Sequence, residues 1–115
     1  MRKVMAPLKP VTFLGSSRDD LREMHESIRH AIGVELMVVQ LGGTPTDFKP
    51  IPSVGAGAYE IRVRDVMGAF RTVYVTKFAD SIYVLHAFQK KTQKTAKADL
   101  ELARQRYKLI PGAKP

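Results

Sequence analysis

The chain has no cysteine in its 115 residues, which excludes disulfide staples and thiolate metal sites and suits a reducing compartment. No apolar run approaches the ~20 residues that a membrane-spanning helix needs. The opening MRKVMAPLKP holds basic residues but no apolar stretch of signal-peptide length before Pro7 and Pro10. Internal repeats and low-complexity tracts are missing too. His25 and His30 stand five residues apart, which is not a metal-ligand spacing on one helical face, so both read as surface residues and no metal or cofactor is expected. These absences predict one soluble, cytoplasmic domain over residues 1–115, with no membrane partner.

Negative charge is also scarce, and the shortage is local. Lysine and arginine number 19 against 11 acidic residues, a formal +8. Residues 1–47 carry six of each sign, whereas residues 48–115 carry thirteen basic and five acidic residues. A solubility surface is the plain explanation of such a surplus. Its confinement to the second half favours a face for phosphate-rich partners, through counterion release and steering.

Periodicity supplies the elements. Val11–Leu14 is a short apolar run after Pro10, read as a first strand and broken by Gly15-Ser16-Ser17. Ser16 or Ser17 is placed to cap a helix, with Asp19 and Asp20 where the macrodipole favours carboxylates. From Asp19 to about Leu41, Leu21, Met24, Ile28, Ile32, Leu36 and Val39 recur at helical spacing, with a bend expected near His25–Arg29. The second half is apolar nearly all round, so it is expected to be the main helix on the sheet, ended by Gly42-Gly43. Thr44 to Gly57, rich in proline and glycine, reads as an ordered surface loop. Strands are expected at about Ala58–Arg64, Phe70–Phe78 and Ser81–Phe88, the last two apolar on both faces and therefore central. In the first of these, Tyr59, Ile61 and Val63 face one way and Glu60, Arg62 and Arg64 the other. A final helix from about Ala96 to Ile110 takes Thr95 as cap and Ala96, Leu100, Ala103, Tyr107 and Ile110 as its buried stripe. The fold class is α+β: an N-terminal strand and two helices on an antiparallel meander, about four strands in all, then a C-terminal helix.

The order of these elements resembles the RelE/ParE toxin superfamily. The strings YEIRVRD, FRTVYV and IYVLHAFQKKTQKT, followed by a helix reading ADLELARQRY, are similar to its phage-derived HigB-like branch over about Lys9 to Ile110. The resemblance implies a RelE-like fold and a type II toxin that cleaves mRNA in the ribosome, neutralised by a helix-turn-helix antitoxin. Two other classes stay open: a ParE-like gyrase inhibitor without chemistry, and a phage-derived nucleic-acid-binding protein that has lost cleavage.

Metal-independent RNA cleavage needs a deprotonated 2′-hydroxyl, a stabilised phosphorane and a protonated leaving oxygen. Arg71 is the first candidate for the phosphorane, because its fork suits two equatorial oxygens. It aligns with the arginine of the superfamily's Y-R-x-V-Y segment, though a pair with Asp65 or Glu60 is the structural alternative. Glu60 departs from the superfamily, which often has lysines at the positions of Glu60 and Arg62. It offers a general base whose power nearby cations limit, or simply a salt bridge. An imidazole suits both acid and base roles, which makes His86 a candidate; the resemblance implies such a role near this point. A buried core histidine is the equal alternative. Lys90 is a further candidate participant in cleavage. Arg62, Arg64, Lys91, Lys94, Lys97 and Arg104 suit sequence-independent phosphate contacts, with Arg106 and Lys108 extending the charge. Tyr83, Phe88 and Tyr107 could stack on a base, but aromatics at such spacings usually belong to a core.

Overall fold

The computed structural model describes residues 8–91 and 95–113. Its elements are β1 (Val11–Phe13), α1 (Ser17–Arg22), α2 (Glu26–Gln40), β2 (Phe48–Pro50), β3 (Ala58–Asp65), β4 (Gly68–Val75), β5 (Ile82–Lys90) and α3 (Lys97–Tyr107). They build one five-stranded sheet in the order β1-β5-β4-β3-β2. Pairing is antiparallel throughout except for β1, which runs parallel to β5 with Val11 opposite Ile82 and Phe13 opposite Val84. No helix of the described residues is long and apolar enough to cross a membrane.

The α+β class and the antiparallel meander hold as expected, and β4 and β5 do lie inside the sheet. The sheet nevertheless has five strands, not about four. The extra one is β2, at the far edge, inside the segment expected to be loop. Its Phe48, Lys49 and Pro50 pair with Ile61, Glu60 and Tyr59, a three-residue edge strand that tolerates proline because its outer side needs no partner. The helical bend falls earlier than expected, at Glu23–His25 between α1 and α2. There His25 caps α2 by accepting the Ser27 N–H at Nδ1. Ser16 is the α1 N-cap, but its hydroxyl goes to Asp20 and not to the backbone.

Each face of the sheet has its own core. On one side α1 and α2 bury Leu21, Ile28, Ile32, Leu36 and Val39 against Ile61, Phe70 and Tyr74. These are the positions read from helical spacing, and fully burying such a side chain contributes roughly 1.5–3 kcal/mol. Val34, Met37 and Leu41 stay exposed, so α2 is less enclosed than its apolar sequence suggests. On the other side Ala103 and Tyr107 of α3, which ends at Tyr107 and not at Ile110, pack with Ile110 just beyond it on Val73, Leu85 and Phe88. Thr95 does not cap α3: the N-cap is Ala96, with no side-chain hydrogen bond, and Ala96 is exposed instead of buried in the stripe.

A β-bulge sets which residues face α3. Val84 pairs with Tyr74 and His86 with Val73, leaving Leu85 without an opposite residue. Before the bulge Val84 faces α2 and Leu85 faces α3; after it Ala87 faces α2 and Phe88 faces α3. His86 thus shares the α3 face with Leu85, as side chains at such a bulge do. The displaced Leu85 carbonyl accepts Arg106 Nη1 at 2.9 Å, and Arg106 Nη2 donates to Ser16 Oγ at 3.0 Å. Gly15, at φ +57, admits that guanidinium, since a Cβ there would lie 2.3 Å from Arg106 Nε.

Candidate active site

The strand alternation delivers a charged row to the α3 face, beyond the part of it that α3 covers. Glu60, Arg62 and Arg64 share one side of β3, Arg62 stands opposite Arg71, and Arg71 stands opposite Phe88. Arg71 is only 2% exposed. Its Nε lies 3.2 Å from Glu60 Oε1, and its Nη1 donates to the Phe70 carbonyl at 3.0 Å. Burial lowers the Arg71 pKa and the Glu60 charge opposes that, while Arg62 and Arg64 lower it further. A guanidinium stays charged under such shifts, so a cation and an anion are held together out of water.

Two cavities flank that pair. One, of about 290 Å³, is lined by Asp47, Arg62, Val63, Arg64 and Arg71, and Arg62 presents a buried Nε without a hydrogen-bond partner. The other, of about 280 Å³, is lined by Lys49, Glu60, Thr95 and Leu100 among others. Thr95 Oγ1 donates to Glu60 Oε2 at 3.4 Å. Half-buried Lys90, at the end of β5, has its pKa lowered by burial and then by Arg71, Arg62 and Lys49, against the opposing pull of Glu60. The structure therefore brings together Glu60, Arg62, Arg64, Arg71 and Lys90.

His86 lies on the same face at one remove. Glu60, Val73 and His86 are in register across three strands, so two strand spacings, about 10 Å, separate their backbones. The imidazole is 6% exposed and stacks on Phe88 with ring centres 4.6 Å apart. His86 Nε2 is 2.7 Å from Asp99 Oδ1, and its buried Nδ1 has no hydrogen-bond partner. Thr95 and the first turn of α3 together span both groups, Thr95 holding Glu60 and Asp99 holding His86. His86 lines a different cavity from the arginines, one of about 540 Å³ beside α1.

The remaining candidates are dispersed. Lys91 is exposed, with Nζ donating to Gln89 Oε1 at 3.1 Å, and Lys97 is exposed at the start of α3. Lys94 lies outside the described residues. Arg104 does not join the cluster: it pairs with Glu101 and donates from Nε to the Ser53 carbonyl at 2.8 Å, beside another cavity. Arg106 is engaged with the bulge. Tyr83, Phe88 and Tyr107 are core residues, with the Tyr83 and Tyr107 hydroxyls bonded to Asp80 and to the Ala56 carbonyl. Sequence reasoning missed Asp99 and Lys49. The only signal for Asp99 was a carboxylate in the first turn of α3, which reads as a helix-dipole residue.

An antiparallel-dominated five-stranded sheet, helices on both faces and a C-terminal helix make a frame compatible with RelE-like toxins. The chain belongs to the phage derived protein Gp49-like family (DUF891), which matches residues 19–108 and lies within the RelE/HigB-like toxin superfamily. No curated protein matches the chain.

Proposed function

We propose that the chain is the toxin of a type II toxin–antitoxin module of the HigB-like branch, an endoribonuclease that cleaves mRNA on the ribosome in the cytoplasm. Its inhibitor in this reading is a helix-turn-helix antitoxin. The observation that carries the reading is the convergence of Arg62, Arg64, Arg71, Lys90 and Glu60 on one sheet face, with a His86–Asp99 pair two strands from Glu60. In the reaction the ribose 2′-oxygen gives its proton to a base and attacks phosphorus. The P–O5′ bond breaks, and an acid protonates the departing 5′-oxygen, leaving a 2′,3′-cyclic phosphate. Arg71 and Arg62 are the groups placed to take the phosphorane's charge. Glu60 and His86 are the proton-transfer groups, and Asp99 orients the imidazole as a carboxylate does in a hydrolase triad.

Burial of Arg71 against Glu60 and of His86 against Asp99 favours a second reading, in which the pairs are structural. The protein would then act by binding alone, as a ParE-like gyrase inhibitor or a nucleic-acid binder. Sequencing mRNA ends in a purified translation system distinguishes them. Fragments are expected with the wild type and at least about a hundredfold fewer with Arg71→Ala, the scale for losing one transition-state ligand. Intact message at toxin excess overturns the enzyme reading, and a gyrase supercoiling assay then tests inhibition.

A further inference from the structure

The 540 Å³ cavity beside α1 is unlike the arginine-lined one, and both halves of the chain contribute to it. It is lined by Asp20, Glu23 and His25, by Met24, Met67 and Phe70, and by four consecutive residues of β5, His86 to Gln89. Those four residues form a strand edge. The parallel partner β1 covers β5 only from Ile82 to Val84, and Gly15 then turns the chain into α1. Beyond Val84, the Leu85 carbonyl is taken by Arg106. Among the described residues, no strand pairs with His86–Gln89 on this outer side. Edge strands are usually blunted by proline, lysine or a bulge. Here the bulge comes one residue too early and Lys90 one residue too late. The result is a groove with a strand edge as one wall and a helix as the other.

We propose that this groove receives an extended segment of a partner protein by strand addition, and that the segment alternates basic with apolar side chains. Main-chain hydrogen bonds to the edge would supply affinity, and the alternating side chains specificity. Met24, Met67 and Phe70 offer an apolar seat, with Met67 51% exposed. Asp20 and Glu23 supply the charge complement. Neither is in an ion pair among the described residues, and Asp20 only accepts the Ser16 hydroxyl at 2.7 Å. Carboxylates at the mouth repel a nucleic-acid phosphate. They also disfavour pairing with the same edge of a second copy, which would bring its own Asp20 and Glu23. The buried imidazole of His86, with Nδ1 unpartnered, completes the wall. An occupant therefore lies against His86 without entering the arginine cluster.

The test uses the full isotope-labelled chain and two capped hexapeptides, one alternating lysine with valine and the other glutamate with valine. Titration of the basic peptide is expected to give saturable shifts at the end of α1, at Met67 and at the His86 ring, and slowed amide exchange within His86–Gln89. The acidic peptide should bind at least about tenfold more weakly, as should the basic peptide to Asp20→Asn/Glu23→Gln. Glu23→Gln alone, at an exposed position, should shift affinity the same way if the Asp20 change disturbs α1. Equal binding of both peptides, or no saturable shift at the edge, overturns the proposal. So does edge protection produced by an RNA oligonucleotide or by dimerisation in sedimentation equilibrium. None of these readouts depends on RNA cleavage.

Discussion

The two faces of β3 solve opposite problems with alternate residues of one strand. Ile61 enters the core beneath the N-terminal helices, where position is set mainly by shape and loss of water. Glu60, one residue away and equally hidden at 3% exposure, enters an ionic pair with Arg71. Burying such a pair is a poor way to gain stability, because desolvation offsets most of the attraction. An apolar pair of similar volume would serve the fold as well or better. Stability alone therefore does not account for the charged pair, whereas it does account for the apolar face.

Breaking the ionic face should produce the largest effect. Arg71→Met leaves Glu60 as an uncompensated buried charge and should cost about 3–5 kcal/mol in urea unfolding. Adding Glu60→Leu should restore most of that loss, and failure to do so would mean the pair itself supports the fold. On the apolar face, Ile32→Ala should cost about 3 kcal/mol through a cavity, with no second substitution nearby able to restore it by removing a charge.

A smaller, pH-dependent effect belongs to Tyr74, on the α2 face, whose hydroxyl burial pushes from 10.0 to about 12. Between those values the unfolded chain releases the phenolic proton and the folded chain keeps it, so stability must fall as pH rises from 10 to 12. The loss should be about 2 kcal/mol, and denaturation curves of Tyr74→Phe should lack that component. The smallest effect expected is for Asp99→Asn, about 1 kcal/mol for one weakened hydrogen bond. If the His86–Asp99 pair orients a catalytic group, its cleavage rate should fall far more than its stability does.

Much of this was legible in the chain, for a consistent reason. Alternation along YEIRVRD placed Glu60 and the arginines on one side and Ile61 on the other, because a regular strand has a strict period of two. The same rule fails at VLHAF, where the bulge at Leu85 inserts one residue and moves His86 to the opposite face. No local pattern announces that bulge; its carbonyl is satisfied by Arg106, 21 residues on. Asp99 was hidden similarly, since its bond to His86 spans 13 residues and two elements. The β2 strand escaped because prolines and glycines surround it, and only its neighbour Tyr59–Ile61 gives it a register. Thr95 looked like a helix cap, yet its hydroxyl is spent on Glu60.

The parallel seam between β1 and β5 bears on how the chain is made. Ser81 Oγ donates to the Pro10 carbonyl across 71 residues, so β1 has no seat until β5, the last of the five strands, is in place. Contacts of such separation form late. In pulse-labelled refolding, amides of Val11–Phe13 should gain protection after those of the β3–β4 hairpin. The sheet is then complete only once β1 has docked on β5, and early protection of Val11–Phe13 would refute that order.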